Sequence, residues 1–121
     1  MYVAIGGAIG SLARHEVGKA IARVSPTHVT PYATALVNLV GCFVIGFLAG
    51  LVASERLTMT PPVRAFVFVG ILGGFTTFSS FGLDTFSLAH GGRTVYAVVN
   101  VAVQVLAGLG LVAVGYFAAA H

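Results

Sequence analysis

The sequence predicts an all-α integral membrane protein of four transmembrane helices, with the third helix broken at its midpoint. The chain of 121 residues is 58% hydrophobic, and its mean hydropathy is +1.01. Only 7% of its residues are charged, whereas roughly a quarter are charged in a soluble domain. Because a helix needs about 20 residues to cross a bilayer, four helices with short connections account for residues 1–121 as a single transmembrane domain.

The composition argues against several other classes of protein. The formal net charge of +3 is small and dispersed, which does not favour nucleic acid as a partner. Cys42 has no second cysteine to pair with, so we interpret it as a small packing residue. The sequence shows no Cys/His cluster for a transition metal, no nucleophile–base pair and no phosphate-binding loop. We therefore predict that the chain is not an enzyme and has no catalytic residues. The N-terminal segment lacks the basic start of a signal peptide, and we expect it to be mature structure.

The first helix is predicted over about residues 2–22. Gly6, Gly10, Arg14 and Gly18 recur at every fourth position and so share one face. The Gly6/Gly10 pair is typical of a close approach between two membrane helices. A charged arginine is unfavourable in lipid. Arg14 is therefore expected either at the membrane interface or inside a water-filled vestibule.

The second helix is predicted over about residues 32–53, after a connection at 24–31 that contains two prolines. Asn38 lies well inside this span, where an amide needs hydrogen-bond partners. Two roles are open, an interhelical hydrogen bond and a donor that faces a pore, and we favour the second. The same face carries a row of small and polar residues at fourfold spacing: Thr34, Asn38, Cys42, Gly46 and Gly50.

The third helix is expected to begin at Pro61, with Thr60 as its cap, and to come apart over Gly73 to Ser80. Paired glycines are unfavourable in a helix interior, and the hydroxyls that follow compete for backbone hydrogen bonds. Irregular backbone at membrane depth survives only inside protein or beside a wet cavity. The break is therefore predicted to be an ion or substrate site. Its free carbonyls suit a hard cation such as Na⁺, and its free N–H groups suit an anion.

The fourth helix is predicted over about residues 94–119, after a turn at His90-Gly91-Gly92. Tyr96, Asn100 and Gln104 recur every fourth residue and form a polar track on one face. Such side chains either bond to neighbouring helices or line a pathway.

The predicted break and the residue after it contain three phenylalanines, Phe75, Phe78 and Phe81. Core packing is the ordinary role of such rings. Beside a polar, broken segment a second role arises, because the edge of a phenyl ring is positive and its face is negative. Ring edges that line a pore would favour a small anion over a cation.

The charges of the connections give almost no orientation bias, with two Lys/Arg residues on one side of the membrane and three on the other. We therefore expect the chain to insert in both orientations and to pair as an antiparallel dimer. Four small helices also enclose too little volume for a pore, which a second copy would remedy.

Three separated motifs resemble those of the Fluc/CrcB family of fluoride channels. They are residues 6–14 (GGAIGSLAR), residues 38–43 (NLVGCF) and residues 73–81 (GGFTTFSSF). The resemblance implies a passive, fluoride-selective channel of a prokaryotic plasma membrane, which exports F⁻ that entered as HF and so confers fluoride resistance. It also implies an antiparallel, dual-topology homodimer with two fluoride pathways.

The resemblance also implies roles for individual residues. A structural Na⁺ would lie on the dimer axis, held by the backbone carbonyls of Gly73 and Thr76. Asp84 stands where the family usually has Glu, and His15 where it often has Tyr. Arg14 is expected in the vestibule. The fluoride pathway would include Phe78, Phe81, Asn38, Ser79, Ser80 and Asp84, together with the polar track of Tyr96, Asn100 and Gln104.

A second class of protein fits a small four-helix dimer, namely a dual-topology drug/proton antiporter. Such a protein needs a carboxylate embedded in its first helix, for which Glu16 is the candidate. Arg14 and Lys19 lie close to it along the chain, and the chain has no Trp to form a cation cage. The alternative is therefore less favoured.

Overall fold

The computed structural model describes residues 1–27 and 29–121, and within these ranges it contains helices and turns but no strand. The first helix, α1, is Tyr2–Val24 and the second, α2, is Val29–Ala53. The second helix begins about one turn earlier than predicted. Pro31 is compatible with that start because the N–H groups of a first helical turn have no intrahelical partner. His28, within the predicted connection at 24–31, lies outside the described residues.

The third span is divided into two helices by two extended residues. Its first half, α3, covers residues 61–75 and consists of Pro61–Arg64, a π-helical stretch Ala65–Leu72 and a last turn Gly73–Phe75. Its second half, α4, is Phe78–His90. Thr76 and Thr77 lie between them with φ/ψ of −81°/158° and −150°/113°. The predicted break at the midpoint is therefore confirmed.

The break is shorter than predicted, because Gly73, Gly74, Ser79 and Ser80 are all helical. Gly74 serves packing instead. A Cβ added to Gly74 would lie 2.5 Å from the Gly7 carbonyl oxygen of α1. Because α1 contacts α3 this closely, a helical backbone with no side chain is what the position requires.

The predicted close approach at Gly6 and Gly10 is confirmed. A Cβ on Gly6 would lie 2.5 Å from the Phe66 carbonyl oxygen, and a Cβ on Gly10 would overlap the Ile71 carbonyl oxygen. These two glycines therefore let the backbone of α1 pack directly on the backbone of α3.

Thr60 is the N-cap residue of α3 and Pro61 begins the helix, as predicted. The predicted side-chain cap is wrong, because the Thr60 hydroxyl makes no capping hydrogen bond. Proline at the first helical positions reduces the loss of stability from the missing cap, since it has no N–H group that needs an acceptor.

The last helix, α5, covers Thr94–Ala120 and includes a π-helical stretch at Val103–Ala107. It packs along α2 through glycines of both helices. A Cβ on Gly46 would overlap the Val112 carbonyl oxygen, and one on Gly115 would overlap the Phe43 carbonyl oxygen. This contact fixes the pair of helices that carry Asn38 and the predicted polar track.

Among the described residues, three stretches are long and apolar enough to cross a membrane: Pro31–Ala53, Pro61–His90 and Thr94–Ala120. Large apolar side chains such as Leu106 and Leu109 lie on the outside, with exposures of 69% and 67%. The protein is therefore a multi-pass membrane protein. The further helix, α1, has 23 residues and concentrates its charged side chains in its second half.

Candidate functional site

The start of α4 is organised by the Thr77 side chain. Thr77 is the N-cap residue, and its Oγ1 accepts a hydrogen bond from the Ser80 N–H at 3.2 Å. The same hydroxyl lies 3.0 Å from the Ser80 Oγ and 3.3 Å from the Ser79 Oγ. The break thus gathers three hydroxyl groups at the positive end of a helix dipole.

Asn38 of α2 holds the break through two hydrogen bonds to one residue. Its Oδ1 accepts from the Thr77 N–H at 2.8 Å, and its Nδ2 donates to the Thr77 carbonyl at 3.1 Å. This pair satisfies both backbone groups of an extended residue that the helices on either side leave unpaired. Asn38 therefore makes the interhelical hydrogen bond that the sequence left open.

The hydrogen bonds continue from Asn38 along the predicted polar track. Asn38 Nδ2 donates to Gln104 Oε1 at 2.7 Å, and Gln104 Nε2 donates to Asn100 Oδ1 at 2.9 Å. Asn100 Nδ2 in turn donates to Thr85 Oγ1 at 2.9 Å, and that hydroxyl donates to the Phe81 carbonyl at 2.8 Å. The chain of donors runs in one direction from α2 through α5 to α4, and its members polarise one another.

A first cavity of about 370 Å³ lies at the break. The Phe78 and Phe81 rings line it with centroids 5.5 Å apart and planes at 45°. Phe78 is 83% exposed, so one face of this cavity is open to the surroundings of the chain. The wall also includes Asn38, Gly73, Thr76, Thr77 and Gln104.

The Gly73 carbonyl has lost its usual helical partner. In an α-helix it would accept from the Thr77 N–H, and that N–H is donated to Asn38 Oδ1 instead. Gly73 and Thr76 both line the first cavity. A backbone oxygen is thereby made available for a hard cation at the place where one was predicted.

A second cavity of about 320 Å³ lies between α2, α4 and α5. Tyr96 lines it and is 65% exposed, and Asn100 lines its inner part. Of the predicted track, Asn100 and Gln104 are thus joined directly, while Tyr96 shares only this cavity with Asn100. Arg93 and Tyr32 also line it.

A third cavity of about 420 Å³ lies between α1 and α2 and reaches Thr77 and Ser80. Arg14 is half-buried and lines it beside Ser11 and His15. Arg14 therefore faces a cavity that ends at the hydroxyl groups of the break.

Residues 1–116 match the family model described as CrcB-like protein, Camphor Resistance (CrcB). The chain belongs to this family. It is 42% identical over 116 residues to a protein of Methylobacillus flagellatus, covering 96% of this chain and 90% of the relative. It is 43% identical over 117 residues to one of Elusimicrobium minutum, covering 97% and 90%. Both relatives are named "Fluoride-specific ion channel FluC".

These comparisons confirm the family resemblance drawn from the three motifs. The relatives of this CrcB family member are named as ion channels, which also confirms the prediction that the chain is not an enzyme.

Asp84 is buried in this CrcB family member, with 8% exposure. It lines none of the three cavities described above. Its Oδ2 has no hydrogen-bond partner among the described residues.

Glu16 is not embedded in the way that an antiporter requires. Its carboxylate lies 3.0 Å from the Lys19 ammonium, and the side chains of Lys19 and Glu16 are 50% and 64% exposed. An exposed pair of this kind contributes little to stability. The antiporter alternative is therefore not supported for this CrcB family member.

Thr85 is the residue of the hydrogen-bonded chain that the sequence did not single out. Its hydroxyl links Asn100 of α5 to the Phe81 carbonyl of α4. The available signal was a hydroxyl four residues after Phe81, which is a spacing that allows back-bonding within a helix.

Proposed function

We propose that this CrcB family member is a passive, fluoride-selective ion channel. The observation that carries the proposal is the first cavity, where two phenylalanine rings, an amide pair and a broken helix meet. The names of the relatives supply the ion. A cavity of this composition suits a small anion, because N–H, O–H and ring edges all present positive charge.

An ion passes through the channel when hydrogen-bond donors of the protein replace its water of hydration. Thr77, Ser79 and Ser80 supply hydroxyl groups at the N-terminus of α4, where the helix dipole favours negative charge. Asn38 and Gln104 supply amide N–H groups, which in this structure are bonded to protein oxygens. An entering anion replaces the protein oxygen as the acceptor of these hydrogen bonds. The hydrogen bond to a charged acceptor is stronger than the one it replaces, which offsets the cost of leaving the protein oxygen unpaired.

The aromatic pair supplies selectivity. Phe78 and Phe81 can turn positive edges toward an anion, and a cation would meet an unfavourable field at the same place. Fluoride is the halide that holds water most strongly, so it needs both the ring edges and the hydroxyl and amide donors. Arg14 lies in the vestibule, the third cavity, which leads to these donors. Tyr96 and Asn100 extend the pathway into the second cavity.

Asp84 keeps its place in the proposed pathway for one reason. Its buried Oδ2 has no partner among the described residues, so the carboxyl is able to form a new hydrogen bond when its surroundings change. Its position on α4, one turn past Phe81, places it on the helix that carries the ring pair.

The break is also proposed to hold a structural Na⁺ at the carbonyls of Gly73 and Thr76. The fit rests on the Thr77 N–H, which turns to Asn38 and leaves the Gly73 carbonyl without its helical partner. Sodium is a hard cation that prefers oxygen ligands, and two carbonyls from one chain leave most of its coordination open. The same two carbonyls of a second copy would supply further oxygens.

The active form is proposed to be an antiparallel homodimer of four-span chains in a prokaryotic plasma membrane. The open face of the first cavity and the 83% exposure of Phe78 support a second copy at this surface. The weak charge bias of the connections supports insertion in both orientations. In this setting the channel exports fluoride that enters as HF, and so confers resistance.

The test is ion efflux from liposomes that contain the purified chain, prepared with Na⁺ throughout. A fluoride electrode should record rapid F⁻ release without a proton gradient, and matched vesicles loaded with chloride should release almost none. Equal release of both ions would contradict the selectivity. Fluoride release that requires a proton gradient would contradict a passive channel.

A further inference from the structure

The second cavity contains an uncompensated positive charge that the pathway described so far does not use. Arg93 is the exposed N-cap residue of α5 and lines this cavity. Within residues 1–27 and 29–121, its guanidinium forms no ion pair or side-chain hydrogen bond. The other described residues that line the cavity are neutral: Pro31, Tyr32, Ala35, Leu88, Tyr96, Val99, Asn100 and Val103.

The backbone fixes Arg93 at this place. The Arg93 N–H donates to the Leu88 carbonyl at 2.8 Å, and the Gly92 N–H donates to the Ala89 carbonyl at 3.1 Å. Gly92 has a φ of 78°, so this is a Schellman end to α4 that needs a glycine at that position. The Arg93 carbonyl then accepts from the Ala97 N–H at 3.1 Å and so starts α5. Arg93 is thus held between two helix ends and does not sit on a loose loop.

The inner part of the cavity is the end of the hydrogen-bonded chain. Asn100 lines the cavity and is joined through Gln104 to Asn38, which bonds to the break. One continuous set of amide groups therefore connects the space beside Arg93 with the space between Phe78 and Phe81. Leu88 forms a buried apolar part of the cavity wall, with 7% exposure, whereas Arg93 itself is exposed at the mouth of the cavity.

We infer that Arg93 forms an electrostatic capture site for the conducted anion at the mouth of the second cavity. The inference rests on the proposed function and adds a residue to it. A cation at the mouth of a cleft with apolar walls raises the local concentration of anions and the rate at which they enter. Tyr96 and the Asn100 amide, which both line the cavity, then contact an ion that has lost part of its water.

The decisive property of a capture site is its dependence on ionic strength. The Debye length is about 30 Å at about 0.01 M salt and about 3 Å at about 1 M. The field of Arg93 therefore acts on an approaching ion in dilute solution and is screened in concentrated solution. Replacing a residue that only supports the fold would change the current by the same factor at both salt concentrations.

The experiment is single-channel recording of fluoride current in neutral phosphatidylcholine bilayers, at low and at high concentrations of an impermeant salt. Arg93→Gln should lower the current about threefold in dilute salt, which is below the roughly 10–10³-fold effect of a whole charged cleft because a single charge is removed. The difference from the parent protein should vanish in concentrated salt. Arg93→Lys should keep the parent current. The matched control is Arg23→Gln, which removes an exposed arginine near the end of α1 that lines none of the three cavities.

Several results would overturn the inference. One is an Arg93→Gln current equal to that of the parent at low salt, and another is a reduction that persists unchanged at high salt. An equal reduction in Arg23→Gln would show a general surface charge. A reduction that appears only in bilayers with anionic phosphatidylglycerol would assign Arg93 to a lipid phosphate. If the parent protein carries no fluoride current, the proposed function fails as well, whereas a conducting parent with an unaffected Arg93→Gln variant refutes this inference alone.

Discussion

The side-chain amide of Asn38 forms a closed pair of hydrogen bonds with the backbone of Thr77, 2.8 Å from the Thr77 N–H and 3.1 Å from its carbonyl. The two residues are 39 positions apart in the chain. The pair acts like one rung of a β-ladder, because it serves both polar groups of an extended residue. It therefore lets a membrane helix be interrupted without leaving backbone groups unpaired at membrane depth.

Replacement of Asn38 by Asp should weaken the fold and the ion pathway together. The new carboxylate would still accept from the Thr77 N–H but would donate to neither the Thr77 carbonyl nor Gln104 Oε1. Leaving buried acceptors unpaired costs about 1–3 kcal/mol. We expect a lower midpoint of thermal unfolding in detergent and a sharp loss of fluoride efflux per folded channel. Gln104→Glu is the control, because it keeps the acceptor for Asn38 and loses only the donor to Asn100. A variant Asn38→Asp as stable as the parent would contradict the structural role of the pair.

Replacement of Phe78 by Ile should stop fluoride without unfolding the chain. Phe78 is 83% exposed in a single chain, so the substitution removes little buried surface. It does remove the ring edge that is proposed to face an anion. Fluoride efflux should fall by at least about tenfold, which corresponds to about 1.4 kcal/mol in the barrier. Phe86→Ile is the matched control on the same helix, since Phe86 is 65% exposed and lines none of the three cavities. Equal efflux in both variants would remove the rings from the pathway.

Replacement of Gly10 by Ala should destabilise the packing of α1 on α3. The added Cβ would overlap the Ile71 carbonyl oxygen, and a backbone atom cannot move aside cheaply. Overpacking of this kind costs about 1–3 kcal/mol. Gly18→Ala on the same helix is the control, because its Cβ would meet nothing within 4 Å. We expect the midpoint of thermal unfolding to fall for Gly10→Ala and to stay level or rise for Gly18→Ala. The reverse order would show that α1 does not pack on α3 in this way.

The sequence alone predicts most of the helices and most of the residues that meet at the site. Proline marks the start of α3 and glycines mark the end of α4, and fourfold spacing placed Asn100 and Gln104 on one face. The break is shorter than the sequence predicted, because helix propensity says that Gly73 and Gly74 are poor helix residues. The contact of Gly74 with Gly7 is tertiary, and it makes a helical glycine favourable there.

The exact residues of the break depend on Asn38, which is distant in sequence, and no local pattern indicates that Thr77 will be the extended residue. The π-helical stretches at Ala65–Leu72 and Val103–Ala107 were also missed. Both are apolar sequences that fit an ordinary helix equally well. Their geometry is set by the packing of neighbouring helices, which a single sequence does not state.

Removal of Na⁺ should destabilise the assembled channel. If the Gly73 and Thr76 carbonyls hold Na⁺, its replacement by N-methyl-D-glucamine leaves those oxygens without a partner. We expect a lower midpoint of thermal unfolding and lower fluoride efflux, both restored when Na⁺ is added back. Thr76→Ser should respond as the parent does, because it retains the carbonyl and the hydroxyl that donates to the Leu72 carbonyl. Identical behaviour in both cations would argue against a sodium site.

Replacement of Gly73 by Ala tests where the second copy binds. Within one chain the new Cβ would lie 3.9 Å from its nearest neighbour, the Phe68 carbonyl oxygen, so the single chain has room for it. In the proposed dimer the methyl group would lie between the two copies, beside the carbonyls that bind Na⁺. We therefore expect a folded chain that elutes as a monomer and conducts no fluoride. Gly110→Ala on α5, whose Cβ would meet nothing within 4 Å, should remain a conducting dimer. Dimers of normal size and activity from Gly73→Ala would place the contact between copies elsewhere on the surface, because a methyl group at the shared axis cannot be accommodated without separating them.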